Sequence, residues 1–203
     1  MTALPNRLSM TLLLGIVCGL VLGCAGGGEQ AAQTPVVTEL SEAQSAQKER
    51  ALAARDQLFQ SLVGELTGSM AEKGPAQSIG VCRERAPEIA KQVSQETGVR
   101  IGRTSFQLRN PENQPPTWAT DFVSDRVEKE VVVALPDAGL GVLTPIRLQT
   151  TCTICHGPKS EILPEVKVAL ASNYPRDQAT GFAVGDLRGY FWMEVPVSNA
   201  TTE

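Results

Sequence analysis

At 203 residues, 42% of them hydrophobic, the chain is long and apolar enough to bury one core, which excludes an intrinsically disordered protein. Its 22 acidic residues outnumber 18 basic ones for a net charge of −4, and no stretch concentrates Lys and Arg. Nucleic acid is thereby excluded as a partner class.

In chain order, Arg7 precedes an apolar run from Thr11 to Gly23 that is too short to span a bilayer without help from its flanks, so residues 1–23 read as a signal peptide. Val21-Leu22-Gly23-Cys24 has the form of a bacterial lipobox, in which cleavage leaves the cysteine at the mature N-terminus for acylation. An ordinary cleavage site near Ala25 and an uncleaved anchor are the alternatives. Each of the three readings exports the domain to the periplasmic or extracellular side. Acylation of Cys24 would hold it on a membrane effectively permanently, since each buried methylene contributes about 0.8 kcal/mol. Residues 24–40, rich in Gly, Ala, Gln and Thr, cannot bury a core and read as a flexible tether to a domain spanning 41–203.

Ser41-Glu42-Ala43-Gln44 has the form of a capping box, and Leu52, Phe59, Leu62, Leu66 and Met70 follow at helical spacing. One long amphipathic helix is predicted, ended by Lys73-Gly74-Pro75. A second helix carries Ile79, Cys82, Ala86, Ile89 and Val93 on one face, so Cys82 is expected to point inward. Pro87 interrupts that helix and predicts a kink just after Cys82. Gly98 closes it, Val99 to Leu108 reads as extended, and the three prolines between Asn110 and Pro116 forbid regular structure. Thr117 can cap a short helix with Trp118 and Phe122. Val131–Leu135 and Leu140–Leu148 read as a hairpin turned by Pro136-Asp137-Ala138-Gly139. A short helix near Glu165–Ala171, a loop from Gly181 to Gly185 and a last strand near Gly189–Val197 complete an α+β class with an antiparallel sheet. No internal repeat is visible.

The hairpin leads into Cys152-Thr153-Ile154-Cys155-His156. Two thiols one turn apart can add to the two vinyl groups of a haem while the adjacent imidazole reaches its iron. With 5 cysteines and 1 histidine in the chain, chance placement of this pattern has a probability of about 6 in 10,000. A redox dithiol competes, but it belongs at the strand-to-helix junction of a βαβ unit, and no parallel crossover is evident. A zinc site recruiting Cys82 competes too, though adjacent Cys155 and His156 would strain a tetrahedron. A Cys152–Cys155 disulfide is a third alternative. Covalent haem c, one per chain, is the cofactor expected. No second histidine exists, so the opposite face of the iron must take Met70, Met193, Cys82, a weaker group or nothing. Met70 and Met193 are core fillers by default, and so, half the time, is a buried cysteine.

Several motifs occur in a fixed order: Ser78-Ile79-Gly80-Val81-Cys82, Ala86-Pro87-Glu88-Ile89-Ala90, Ile101-Gly102-Arg103-Thr104-Ser105, Arg109-Asn110-Pro111-Glu112-Asn113, Thr144-Pro145-Ile146, the Cys-x-x-Cys-His run, Tyr174-Pro175, Gly185-Asp186 and Arg188-Gly189. From Leu52 to Val197 the chain thereby resembles the bacterial family of single-haem, PAS-like c-type haem domains, long catalogued as a domain of unknown function and best known from a cyanobacterial protein. The resemblance implies a PAS-like antiparallel sheet with flanking helices. It also implies haem attachment at Cys152 and Cys155, with His156 and Cys82 as the two axial ligands.

Arg103 and Arg109 are candidate partners of the haem propionates, because a guanidinium can pair a carboxylate in bidentate fashion. Trp118 is a candidate for stacking near the porphyrin, although a tryptophan is more often simply core. Thiolate ligation lowers a haem potential relative to His/Met ligation. Two uses follow: a redox or gas sensor in which Cys82 leaves on reduction, and a membrane-tethered electron carrier that keeps both ligands. The first needs a small gas ligand or a redox partner protein, and an output partner besides. An enzyme is not expected, because no second histidine or evident distal acid is available for oxygen chemistry.

Overall fold

A 32-residue helix, α1 (Glu42–Lys73), opens the fold where the sequence places its capping box. The Gln44 N–H donates to Ser41 Oγ at 3.2 Å and the Ser41 N–H donates to Gln44 Oε1 at 3.0 Å, which satisfies two of the helix's orphan donors. The structure, a computed structural model, describes residues 34–197, all within the compact unit Gln33–Glu203. The expected signal peptide, the acylation site Cys24 and most of the tether lie outside the described residues.

After α1 come a π-helical turn (Val81–Arg85), α2 (Ala86–Thr97), β1 (Arg100–Thr104), α3 (Thr120–Ser124), β2 (Val131–Ala134), β3 (Leu140–Arg147), α4 (Thr153–His156), α5 (Pro164–Asn173) and β4 (Leu187–Val195). The strands form one antiparallel sheet in the order β1-β4-β3-β2. This is the expected α+β class with a long N-terminal helix. No described helix is long and apolar enough to cross a membrane.

Alternation along β4 divides the core. Phe191, Met193 and Val195 pack with Ala51, Leu58, Ala86 and Ile89 of α1 and α2, whereas Tyr190 and Trp192 pack with Ala119, Val123 and Leu143 on the other face. Trp118 belongs to this second face, where its indole N–H donates to Glu194 Oε1 at 2.9 Å. It is partly buried and packs against that core cluster, the commoner of the two roles its sequence left open. Met193 is fully buried under the helices, in the core cluster with Phe191 and Val195.

Residues 35–37, within the stretch expected to be a flexible tether, are paired with the sheet. Val36 bridges Val133, the Val37 N–H donates to Val132 O at 2.8 Å and the Ala134 N–H donates to Pro35 O at 3.3 Å. Residues 35–37 thus cover the open edge of β2, whose unpaired backbone groups would otherwise template pairing with another chain.

The hairpin turn between β2 and β3 carries φ of 55° at Asp137 and 54° at Ala138, closed by the Gly139 N–H donating to Pro136 O at 3.0 Å. Two positive φ values match the right-handed twist of the strands but suit Asn or Gly, and alanine there bears a steric cost. Ala138→Gly is expected to stabilise the fold by about 0.5–1 kcal/mol, read as a rise of roughly 2–4 °C in the thermal midpoint. A fall would mean that the turn relaxes to negative φ.

The Tyr190 side chain is fully buried, and its hydroxyl has no hydrogen-bond partner among the described residues. Burial, and then the nearby Glu128 carboxylate, push its pKa from near 10 to about 12. Unfolded tyrosine therefore loses its proton first, and stability falls as pH rises from 10 towards 12. Tyr190→Phe is expected to gain about 1 kcal/mol and to flatten part of that alkaline fall in denaturant titrations. An unchanged slope would show that the hydroxyl reaches water.

Candidate functional site

The long helix does not use its large apolar residues as the pattern suggests. Its buried positions are Gln47, Ala51, Ala54, Leu58 and Leu62, and the small alanines let it lie close on the sheet. Of the predicted stripe, Phe59, Leu66 and Met70 line a cavity, as does Leu62. The cavity spans about 1280 Å³ of non-atom space including its open side. Cys82, Cys152, Cys155, His156, Arg103 and Arg109, far apart in sequence, all line it.

Cys82 arrives on the π-helical turn, where the Ala86 N–H bonds to Val81 O five residues back. The sequence predicts a kink at Pro87 inside a regular helix; instead Pro87 lies in the first turn of α2. There its missing N–H and fixed φ cost little. The extra residue in the preceding turn is the local irregularity, a feature often found at functional positions. Ile79, Ala86, Ile89 and Val93 are buried as their spacing predicts, while Cys82 is only half-buried, at the cavity wall.

Cys152 ends a 3-10 turn (Thr150–Cys152) directly after β3, and α4 carries Cys155 and His156 one turn on. The segment 177–182 clasps this motif. The Phe182 N–H donates to His156 O at 3.0 Å and the Gly181 N–H to Gly157 O at 2.8 Å. His156 Nδ1 lies 2.7 Å from Ala179 O, and a carbonyl can only accept, so Nδ1 carries the proton and Nε2 keeps its lone pair. Arg188 Nε is 3.2 Å from the same Nδ1, but two N–H groups cannot bond each other. Arg188 is held instead by its donation to Ser105 Oγ at 2.8 Å and Gln107 O at 3.1 Å. Its guanidinium also lies 5.4 Å from the centre of the Phe182 ring.

Burial first, then the Arg109 and Arg188 guanidinium groups, hold the His156 pKa well below 6.5. The imidazole is neutral and available as a ligand through mildly acidic pH. Burial raises the Cys155 thiol and lowers Arg103, and it takes the lead in lowering Arg188 to about 10.

Arg109 differs most from its expectation. Nε and one NH2 group are engaged with the protein: Asp177 Oδ2 at 3.2 Å, Cys155 O at 2.5 Å and Ala179 O at 3.0 Å. It clamps the back of the Cys-x-x-Cys-His turn as well as lining the cavity. Arg103 lines the cavity without a hydrogen bond to another described residue, which keeps it a candidate for an incoming carboxylate. Arg188 and Asp177 received no role from the sequence. A lone arginine within the apolar run Leu187–Val195 was the available signal for the first.

The competing readings of the motif fare poorly against this geometry. The sheet is wholly antiparallel, without a βαβ unit, and Cys82, Cys152 and Cys155 are all free thiols. Among the described residues, no three metal-type side chains converge on one point as a zinc site requires.

Fold and site together define an α+β domain with a cysteine- and histidine-lined cavity between its helices and sheet. The chain belongs to the Tll0287-like family, whose model matches residues 31–196. It is similar in structure to the cyanobacterial heme-protein Tll0287, with a TM-score of 0.57 and 23% identity over 74% of this chain and 95% of the other. No curated protein matches the chain.

Proposed function

We propose that the chain binds one haem covalently through Cys152 and Cys155, with His156 and Cys82 as axial ligands, and works as a redox or gas sensor exported to a membrane surface on a Cys24 lipid anchor. The carrying observation is that both thiols, an imidazole with a free Nε2 and a further thiol border one largely apolar cavity. The donor set fits a porphyrin iron, which needs only two protein ligands, and does not fit a bare metal ion. The heme-protein relative adds support. The Ala179 carbonyl fixes the tautomer and ring plane of His156, as carbonyls commonly do for ligating histidines. The apolar side chains of α1 exclude water, and Arg103 would face a carboxylate of the bound group. Haem supplies a one-electron centre whose potential a thiolate ligand holds low.

The sensing part rests on where Cys82 sits. A π turn next to a proline has a second, regular helical register close by, so loss of the ligand bond can become movement of the helix. The test is a pair of spectra. Purified protein is expected to give an alkaline pyridine spectrum of c-type haem, and its reduced form to bind carbon monoxide rapidly. A reduced spectrum unmoved by carbon monoxide would sink the sensor and favour the electron carrier. Cys82→Ala is expected to shift the ferric spectrum, and an unchanged spectrum would reject Cys82 as ligand. Mass spectrometry of the mature N-terminus tests the anchor.

A further inference from the structure

A second depression shares Arg109, Asn110 and Tyr174 with the cavity wall and is completed by Arg83, Arg176, Asn173, Pro111 and Pro175. It holds about 490 Å³ of non-atom space including its open side. Three guanidinium groups line it and no carboxylate does. Only Arg109 is neutralised, by Asp177 at 3.1 Å. Arg83 donates to the neutral Asn173 Oδ1 at 3.3 Å, and neither Arg83 nor Arg176 has an ion pair among the described residues. The Asn110 carbonyl oxygen accepts from the Glu112 N–H at 3.1 Å, and its NH2 group donates to no described residue.

In a chain of net charge −4, two guanidinium groups without ion pairs on one concave surface make a local positive spot that favours an anion. Pro111 and Pro175 stiffen the backbone beside Asn110 and Arg176, and Asn173 holds Arg83 by one hydrogen bond. All the charged donors are arginines, whose planar forks match oxyanion edges better than lysine does. We propose that this depression binds a small oxyanion of the phosphate or sulfate class. The back wall of the depression, Arg109, is bonded to the Cys155 carbonyl, so an ion there lies directly behind the Cys-x-x-Cys-His turn.

The test is calorimetric titration of the protein as purified with inorganic phosphate, against chloride at equal ionic strength. Saturable binding in the millimolar range or tighter is expected, weakened by about tenfold or more in Arg83→Glu/Arg176→Glu. Both side chains are exposed, so the change leaves the core intact. Lys91→Glu/Lys159→Glu, with the same charge change at exposed sites elsewhere, is expected to bind as the parent does. Equal weakening in both double variants would overturn the proposal by showing a general charge effect. Absence of saturable binding would overturn it too, including the case in which a carboxylate of a group bound in the cavity already fills the depression.

Discussion

Cys152→Ala/Cys155→Ala is expected to leave no haem-stained band on a denaturing gel, where the parent chain retains its stain after boiling in detergent. Covalent attachment is the one property of the proposed centre that survives unfolding, so the readout separates it from simple haem affinity. Each single variant keeps one thiol, and a weaker stained band is expected for each. Both cysteines are half-buried, and their side chains enter no hydrogen bond with another described residue, so the fold should survive and circular dichroism should match the parent. A stained band persisting in the double variant would reject the attachment sites. A stainless parent, exported together with the machinery that ligates haem, would reject covalent binding altogether.

Arg109→Met is expected to cost about 3–5 kcal/mol, because it strips Asp177 of its partner at a place where both side chains are about nine-tenths buried. The carbonyls of Cys155 and Ala179 lose a donor in the same step. For a chain of this length the thermal midpoint should fall by on the order of 10 °C. Asp177→Asn alone should also destabilise, since Arg109 would then be the uncompensated charge. The two losses should not add, because they break one network. A fall below about 1 kcal/mol in Arg109→Met would show that water reaches the pair and that it behaves as a surface salt bridge. Since Arg109 holds the turn bearing the Cys-x-x-Cys-His run, the proposed attachment should also become less complete in this variant.

The local elements were largely legible. The capping box at Ser41, the helical face of Ile79, Ala86, Ile89 and Val93, and the hairpin from Val131 to Arg147 appear where their residue types place them. Each depends on neighbours a few positions away, which a sequence displays directly. The stripe on α1 misled because core and cavity wall demand the same apolar side chains: Leu66 and Met70 at helical spacing look identical in either role. The pairing of Pro35 to Val37 was not legible because it rests on hydrogen bonds to β2 and not on local composition. Trp118 could face a cofactor or a core until Glu194 and Gly141 were seen beside it.

For the site, the sequence by itself determined the chemistry. Five residues from Cys152 to His156, the lack of any other histidine and the thiol at Cys82 restrict the donors available. The tertiary structure decided the rest. It carried Cys82 to the cavity that Cys152 and Cys155 line, kept Met70 at that wall and sent Met193 into the core. It also gave Arg109 to Asp177 and two carbonyls, and set the tautomer of His156 through Ala179. Such outcomes hang on contacts between residues 23 to 70 positions apart in the chain. Side-chain type fixes what a residue can donate or accept, and only the packed chain fixes which partner lies within 3 Å.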